Sequence, residues 1–152
     1  MNTPFDPRLP RSAAWLGYGG LLPFIGLALV AWADRHHGLV WADALVAYGA
    51  VILSFVGALH WGFAMALPGM ALALRRNAFV WSVVPPLLAW PAVMLEPQLG
   101  APLLIAGFLA HLWQDHRLAG QVPLPAWYLP LRRQLSGVAC LSLALGAFSI
   151  TH

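Results

Sequence analysis

The sequence contains very little charge. Only 9% of its 152 residues are charged, whereas 61% are hydrophobic and the mean hydropathy is +0.73. A soluble globular domain normally has about a quarter of its residues charged, because polar side chains must cover its surface. The composition therefore excludes an ordinary soluble protein and predicts one that dissolves in the lipid bilayer.

Lysine is absent, and cysteine occurs once. All eight basic residues are arginines scattered between apolar runs, so the net charge of +3 forms no basic patch and we expect no nucleic-acid partner. The single Cys140 excludes an intrachain disulfide, and its apolar surroundings predict an inert packing residue. The sequence has no phosphate-binding loop, Gly-x-Ser-x-Gly elbow, HExxH motif or cysteine pair. We therefore expect no enzyme and no metal centre.

What the sequence does contain is five apolar runs, each about as long as a helix needs to cross a bilayer. They predict an all-α integral membrane bundle of five transmembrane helices, forming a single domain over residues 1–152. The first run is long for a signal peptide, so we expect an uncleaved helix. The third contains Pro85, Pro86 and Pro91, which predict a broken or kinked helix. The predicted spans are approximately 13–33, 44–67, 78–95, 99–115 and 131–150.

The arginines predict the orientation of this bundle. Five spans leave Arg35 alone on one side, and the side with more arginines faces the cytoplasm or the mitochondrial matrix. The N-terminus is then inside and the C-terminus outside, in a bacterial inner membrane or, in a eukaryote, the mitochondrial inner membrane. The arginines predicted inside are Arg8, Arg11, Arg75, Arg76, Arg117, Arg132 and Arg133.

Polar side chains within the spans are the candidates for a site. His60 is the strongly polar residue of the second span, and a buried imidazole needs a partner. His111 and Asp115 are four residues apart, so they share one face of the fourth helix. Helical rise places His60 roughly 10 Å and His111 roughly 6 Å from the inner boundary, so both fall in one leaflet. The predicted pocket consists of His60, Trp61, His111, Asp115, Ser82 and Tyr18.

Three segments carry a family resemblance. They are residues 16–24 (LGYGGLLPF), residues 48–62 with their His-Trp-Gly box, and residues 81–85 (WSVVP). In these segments the chain resembles the transmembrane-protein-69-like family of small polytopic membrane proteins. The family occurs in bacteria and in mitochondria and is a domain of unknown function, so the resemblance implies a membrane location and no particular reaction.

Three functions fit these features. The first is an accessory or assembly component of a larger membrane complex, with lipid and other membrane subunits or further copies of itself as partners. The second is a redox protein in which His60 and His111 ligate haem or bind a quinone. The third is a proton-coupled small-solute carrier or channel subunit, in which His60, His111 and Asp115 relay protons.

Overall fold

The computed structural model describes residues 8–150, which form six helices and contain no strand. The first two helices follow one another with only Gly20 between them. Pro23 lies in the first turn of the second helix and has no N–H to donate to the carbonyl of Gly19, which explains a break at this point. The helices are α1 Arg11–Gly19, α2 Leu21–Ala33, α3 Gly38–Ala66, α4 Leu72–Ala92, α5 Pro97–Ala119 and α6 Tyr128–Ser149.

The helical class is confirmed, but several of the predicted boundaries change: the first span is divided into two helices, α4 ends three residues early, α5 ends four residues late and α6 begins three residues early. Helix α3 begins at Gly38, six residues before the predicted span. Helix α4 begins at Leu72, so Arg75 and Arg76 lie in a helix and not in the predicted loop. Within residues 8–150, two stretches are long and apolar enough to cross a membrane, Arg11–Ala33 and Gly38–Ala66.

Small residues let the helices pack closely. A Cβ atom added to Gly57 would lie 2.9 Å from two side-chain carbons of Pro85, and one added to Gly107 would lie 2.6 Å from Leu53. Helix α4 is continuous through Pro85, which lies against Gly57 of α3. Close approach at small residues is a usual means of packing helices in membranes.

The buried core is formed by residues of α2, α3, α4, α5 and α6. Its largest fully buried apolar side chains are Phe24, Leu45, Leu53, Leu104, Phe108 and Leu143. Large apolar side chains also cover the outside of the bundle on every helix. Examples are Trp15, Leu29, Phe55, Leu87, Trp90, Leu109, Trp113, Leu141 and Phe148.

The helices alternate in direction. The α3–α4 and α5–α6 loops meet at one end of the bundle, where Leu67, Met70, Leu118 and Val122 form a small apolar cluster. The end of α2 meets the end of α6, because the indole N–H of Trp32 donates to the carbonyl of Leu145. Consecutive long helices therefore run in opposite directions. The α3–α4 and α5–α6 loops lie at one end of the bundle, and the α2–α3 and α4–α5 loops lie at the other.

Candidate functional site

A buried carboxylate, Asp115 of α5, is the centre of the polar interior. Its Oδ1 atom lies 2.9 Å from Nε2 of His60 on α3, and it accepts a hydrogen bond of 3.0 Å from the hydroxyl of Tyr128 on α6. Its Oδ2 atom accepts a hydrogen bond of 2.9 Å from Nε of Arg132, also on α6. Asp115 and His60 have no exposed surface. The carboxylate therefore joins three helices through three hydrogen bonds.

The pair formed by Asp115 and Arg132 is electrically neutral. Arginine is always protonated in proteins, and an ionised Asp115 balances its charge. Both side chains are buried, Arg132 with only 5% of its surface exposed. Loss of either partner would leave the other charge buried without a counter-ion, which is costly.

His111 extends the network to a fourth helix. Its Nδ1 atom accepts a hydrogen bond of 3.1 Å from the indole N–H of Trp81 on α4, and the planes of the two rings are nearly parallel, at an angle of 16°. Indole is only a donor, so a neutral His111 carries its proton on Nε2. That atom lies 3.7 Å from Oδ1 of Asp115, with the Val56 carbonyl near the ring, and makes no hydrogen bond to the described residues. We call Asp115, His60, His111, Arg132, Tyr128 and Trp81 the Asp115 cluster.

Two histidines and one carboxylate are a common metal-binding set. One ligand atom from each of His60, His111 and Asp115 lies within 4.8 Å of the others. A histidine that binds a metal through Nε2 normally donates its Nδ1 proton to an acceptor, whereas here Trp81 donates to Nδ1 of His111. The oxygens of Asp115 are also occupied by Tyr128 and Arg132. The hydrogen bonding thus fits an ion-pair network better than a metal centre.

The two histidine rings are too close together for a haem. Their centroids are 4.9 Å apart at an interplanar angle of 69°, and both rings are completely buried. Axial ligands must approach iron from opposite faces of a planar macrocycle, with each metal–nitrogen bond about 2 Å long. The direct edge contact between His60 and His111 leaves no space for the macrocycle, so a bis-histidine haem does not fit this arrangement.

The structure places three of the six predicted pocket residues together, namely His60, His111 and Asp115. Ser82 is buried, but its hydroxyl donates to the carbonyl of Phe79 in its own helix. Trp61 is 48% exposed, and its indole N–H donates to the sulfur of Met65. It follows His60 directly in the helix, so it faces a different side.

Tyr18 also lies outside the cluster, which corrects the predicted pocket. It is 45% exposed, and its hydroxyl donates to Oε1 of Gln134 at 2.6 Å. Gln134 is an exposed residue two positions beyond Arg132 on α6. Tyr18 therefore connects α1 to the outer side of α6 and not to the buried carboxylate.

Sequence reasoning missed three members of the cluster, Tyr128, Arg132 and Trp81. Tyr128 and Arg132 stand near a predicted boundary, where an aromatic ring and an arginine are typical of the membrane interface. Their separation by four residues was the available signal, because it places both on one face of α6. Ser136 continues that face, and all three are buried. Trp81 precedes Ser82 in a tryptophan-rich sequence, and nothing in the sequence marks it as a partner of His111.

Comparison with known proteins identifies the family of this chain. The profile of DUF3429, described as a protein family of unknown function, matches residues 9–148. Transmembrane protein 69 of Xenopus tropicalis is 38% identical over 136 residues, which is 88% of this chain and 53% of that protein. The chain belongs to the transmembrane-protein-69-like family. The predicted resemblance is thereby confirmed, and the protein is an integral membrane protein in contact with the lipid bilayer.

A mammalian relative gives the same result at lower identity. Transmembrane protein 69 of Mus musculus is 28% identical over 138 residues, covering 90% of this chain and 55% of that protein. The chain thus spans about half the length of the curated relatives it matches. No solved structure matches the chain significantly.

Proposed function

We propose that this family member is a five-span membrane protein, with its N-terminus inside, that acts as an accessory or assembly component of a larger complex in the inner membrane. The four long helices and the α1–α2 pair would each cross the bilayer once. In this arrangement the protein contributes helical surfaces to the complex, and the Asp115 cluster keeps those surfaces in a fixed relation to one another.

Exposed apolar side chains support five spans. Helices α4, α5 and α6 contain charged residues that lower their average hydropathy, yet their outer faces carry Leu87, Trp113 and Phe148, all more than half exposed. The charges of Asp115 and Arg132 are directed inward and paired. A helix with an apolar outer face and a neutralised inner charge is suited to lipid on one side and to protein on the other.

The buried Asp115 cluster is the observation that carries the proposal. It connects α3, α4, α5 and α6 through hydrogen bonds to two buried side chains, Asp115 and His111. Each oxygen of Asp115 already accepts a hydrogen bond. A proton relay or a quinone site built on His60 and His111 would need access to these rings, and both are completely buried. The geometry therefore favours a structural network over the redox and carrier alternatives.

Site-specific photo-crosslinking in the native membrane tests the assembly role. A photoreactive amino acid replaces Trp15, Trp90 or Trp113, which are exposed on three different helices. We expect at least one position to form a discrete, stoichiometric protein crosslink, and the native complex to migrate well above the chain mass of 16.4 kDa. The same probe at the buried Leu104 is the matched control and should give no intermolecular product.

Crosslinks to lipid alone at all three exposed positions, together with monomeric migration after gentle extraction, would contradict the proposed role. A crosslink between two copies of this chain would identify self-association. A crosslink to a different membrane subunit would identify a hetero-oligomeric complex.

A further inference from the structure

A small cavity lies next to the Asp115 cluster, on the side where α1 joins the bundle. Its volume is about 90 Å³, and its walls come from α1, α2, α3, α5 and α6. Apolar side chains form most of the lining, including Ile52, Phe55 and Phe108. Two polar side chains of α6, Arg132 and Ser136, also line it. The cavity therefore combines apolar walls with a narrow polar edge, which is typical of sites for small ligands.

Both polar side chains have hydrogen-bonding capacity left over. Nη2 of Arg132 and Oγ of Ser136 are buried and make no hydrogen bond to any other group of residues 8–150. The side chains themselves are 5% and 2% exposed. Buried donors of this kind are normally satisfied, because leaving one unpaired is unfavourable. Two unpaired donors on the same face of α6 line the same cavity. They indicate a ligand with an acceptor atom that bonds to both.

The charge of Arg132 is already balanced, and this limits the chemistry of the acceptor. Its Nε donates to Asp115 at 2.9 Å, so the pair as a whole is neutral while Nη2 still offers protons. An anionic ligand would bring an unbalanced negative charge into an apolar cavity, which is unfavourable. A neutral oxygen acceptor, such as a carbonyl group, adds hydrogen bonds without adding charge.

The outer wall of the cavity indicates where the ligand comes from. Leu16 and Phe55 line it and are 79% and 65% exposed, so they face the surroundings of the bundle as well as the cavity. In a membrane protein those surroundings are acyl chains. Arg132 is four residues, or roughly 6 Å, from the start of α6, so the polar edge is at the shallow end of the helix. A ligand with a polar head and an apolar tail would enter from the lipid.

We propose that the cavity between α1 and α6 binds the neutral carbonyl head of a membrane amphiphile, whose carbonyl oxygen accepts hydrogen bonds from Nη2 of Arg132 and Oγ of Ser136. A quinone ring and the ester of an uncharged acyl lipid share this chemistry. The apolar tail of either leaves the cavity between Leu16 and Phe55. The site is separate from the histidines of the cluster, and it does not depend on the assembly role proposed above.

Ligand titrations of the full chain in lipid nanodiscs, followed by native mass spectrometry, test the proposal. The probes are decylubiquinone, dioctanoylglycerol, decanoic acid and decylbenzene. We expect one molecule of a carbonyl probe per chain, with Ser136→Ala weakening its affinity about tenfold, since one net hydrogen bond contributes about 1–1.5 kcal/mol. Ser142→Ala is the matched control, a buried serine of the same helix outside the cavity, and should change the affinity less than about twofold.

A second pair of variants fills the cavity instead of removing a donor. Ile52→Phe introduces an aromatic ring at the lining, whereas Val51→Phe introduces one on the exposed side of α3. We expect Ile52→Phe to reduce carbonyl-probe binding more than about tenfold and Val51→Phe to leave it unchanged, because only the first occupies the ligand volume. Circular dichroism confirms that each variant is folded.

The four probes distinguish a quinone ligand from a lipid ester, and they also show whether the proposal is wrong. Binding of decylubiquinone alone identifies a quinone, and binding of dioctanoylglycerol alone identifies a lipid ester. Equal binding of decylbenzene, preference for decanoic acid, or no binding of either carbonyl probe to folded protein would each overturn the proposal. So would carbonyl-probe affinities that are unchanged in both Ser136→Ala and Ile52→Phe.

Discussion

At the scale of single residues, Asp115 neutralises the charge of the buried Arg132. Replacing it by alanine leaves the guanidinium of Arg132 buried without a counter-ion, so we expect Asp115→Ala to lower the free energy of unfolding by about 3–5 kcal/mol. Reversible unfolding in mixed micelles measures the change. Asp43→Ala, at an exposed position of α3, is the control and should cost less than about 0.5 kcal/mol. Equal effects of the two substitutions would show that the ion pair contributes little.

Tyrosine hydroxyls at two positions allow a matched comparison. The hydroxyl of Tyr128 donates to the buried Asp115, whereas that of Tyr18 donates to the exposed Gln134. We expect Tyr128→Phe to destabilise the protein by about 1.5–3 kcal/mol, because its bond is to a charged group in a buried site. Tyr18→Phe should cost less than about 0.5 kcal/mol. Unfolding midpoints measured under the same conditions compare the two, and a larger loss for Tyr18→Phe would contradict this assignment.

The sequence predicted those residues of the site that are polar and lie within an apolar run. His60, and His111 with Asp115 one turn later, stand out because such groups need buried partners. Depth along a helix predicts that Tyr18 and Ser82 share a leaflet with the histidines, but depth does not specify which side of a helix a residue faces. Arg132 resembled an interfacial charge, because its pairing depends on the rotation of α6, which the sequence does not reveal.

At the scale of helices, α3 and α4 depend on a glycine at their contact. We expect Gly57→Ala to destabilise the protein by about 1–3 kcal/mol, because the new methyl group would lie 2.9 Å from Pro85 and force the helices apart. Gly62→Ala has open space on the same helix and should be neutral or slightly stabilising, since alanine favours helix. Thermal unfolding of both variants checks the prediction. A neutral Gly57→Ala would mean that α4 can move without cost.

The turn between α2 and α3 should respond to acid. A hydrogen bond from Trp41 and the neighbouring His37 lower the pKa of Asp34 below its ordinary value of 3.8. A lowered pKa means that the carboxylate stabilises the turn at pH values above 3.8, and that this contribution is lost as the pH falls through the lowered value. We expect the Trp41 indole N–H resonance to shift as the pH falls below about 4. Asp34→Asn should remove this dependence, and a shift that persists in the variant would exclude Asp34 as its cause.

Helix boundaries were less predictable than helix content. The apolar runs identified every long helix, but α3 and α4 extend beyond their runs to Gly38 and Leu72. Polar residues such as Asp43 and Arg76 can be helical while remaining exposed, so an apolar run marks the part of a helix in contact with apolar surroundings. The three prolines inside α4 do not end it, and proline is tolerated in membrane helices more readily than in soluble ones.

At the scale of the whole molecule, the alternating helices predict which loops share a side. With Cys140 replaced by alanine, single cysteines at Ala71 and Gln121 should react with a membrane-impermeant maleimide only from the inner side. Cysteines at His36 and Glu96 should react only from the outer side, because these loops are at the other end of the bundle. Inverted and right-side-out vesicles make the measurement. Reaction of all four positions from one side would exclude the five-span arrangement.

The bond between Asp115 and Arg132 also bears on how the chain enters the bilayer. The two residues are 17 positions apart, on consecutive helices that run in opposite directions. Either charge alone is unfavourable in lipid, and each lies four residues from the end of its helix, next to the loop that joins α5 to α6. Helix α5 is therefore expected to wait beside the translocon until α6 emerges, so that the two partition into lipid together as a hairpin with its charges already matched.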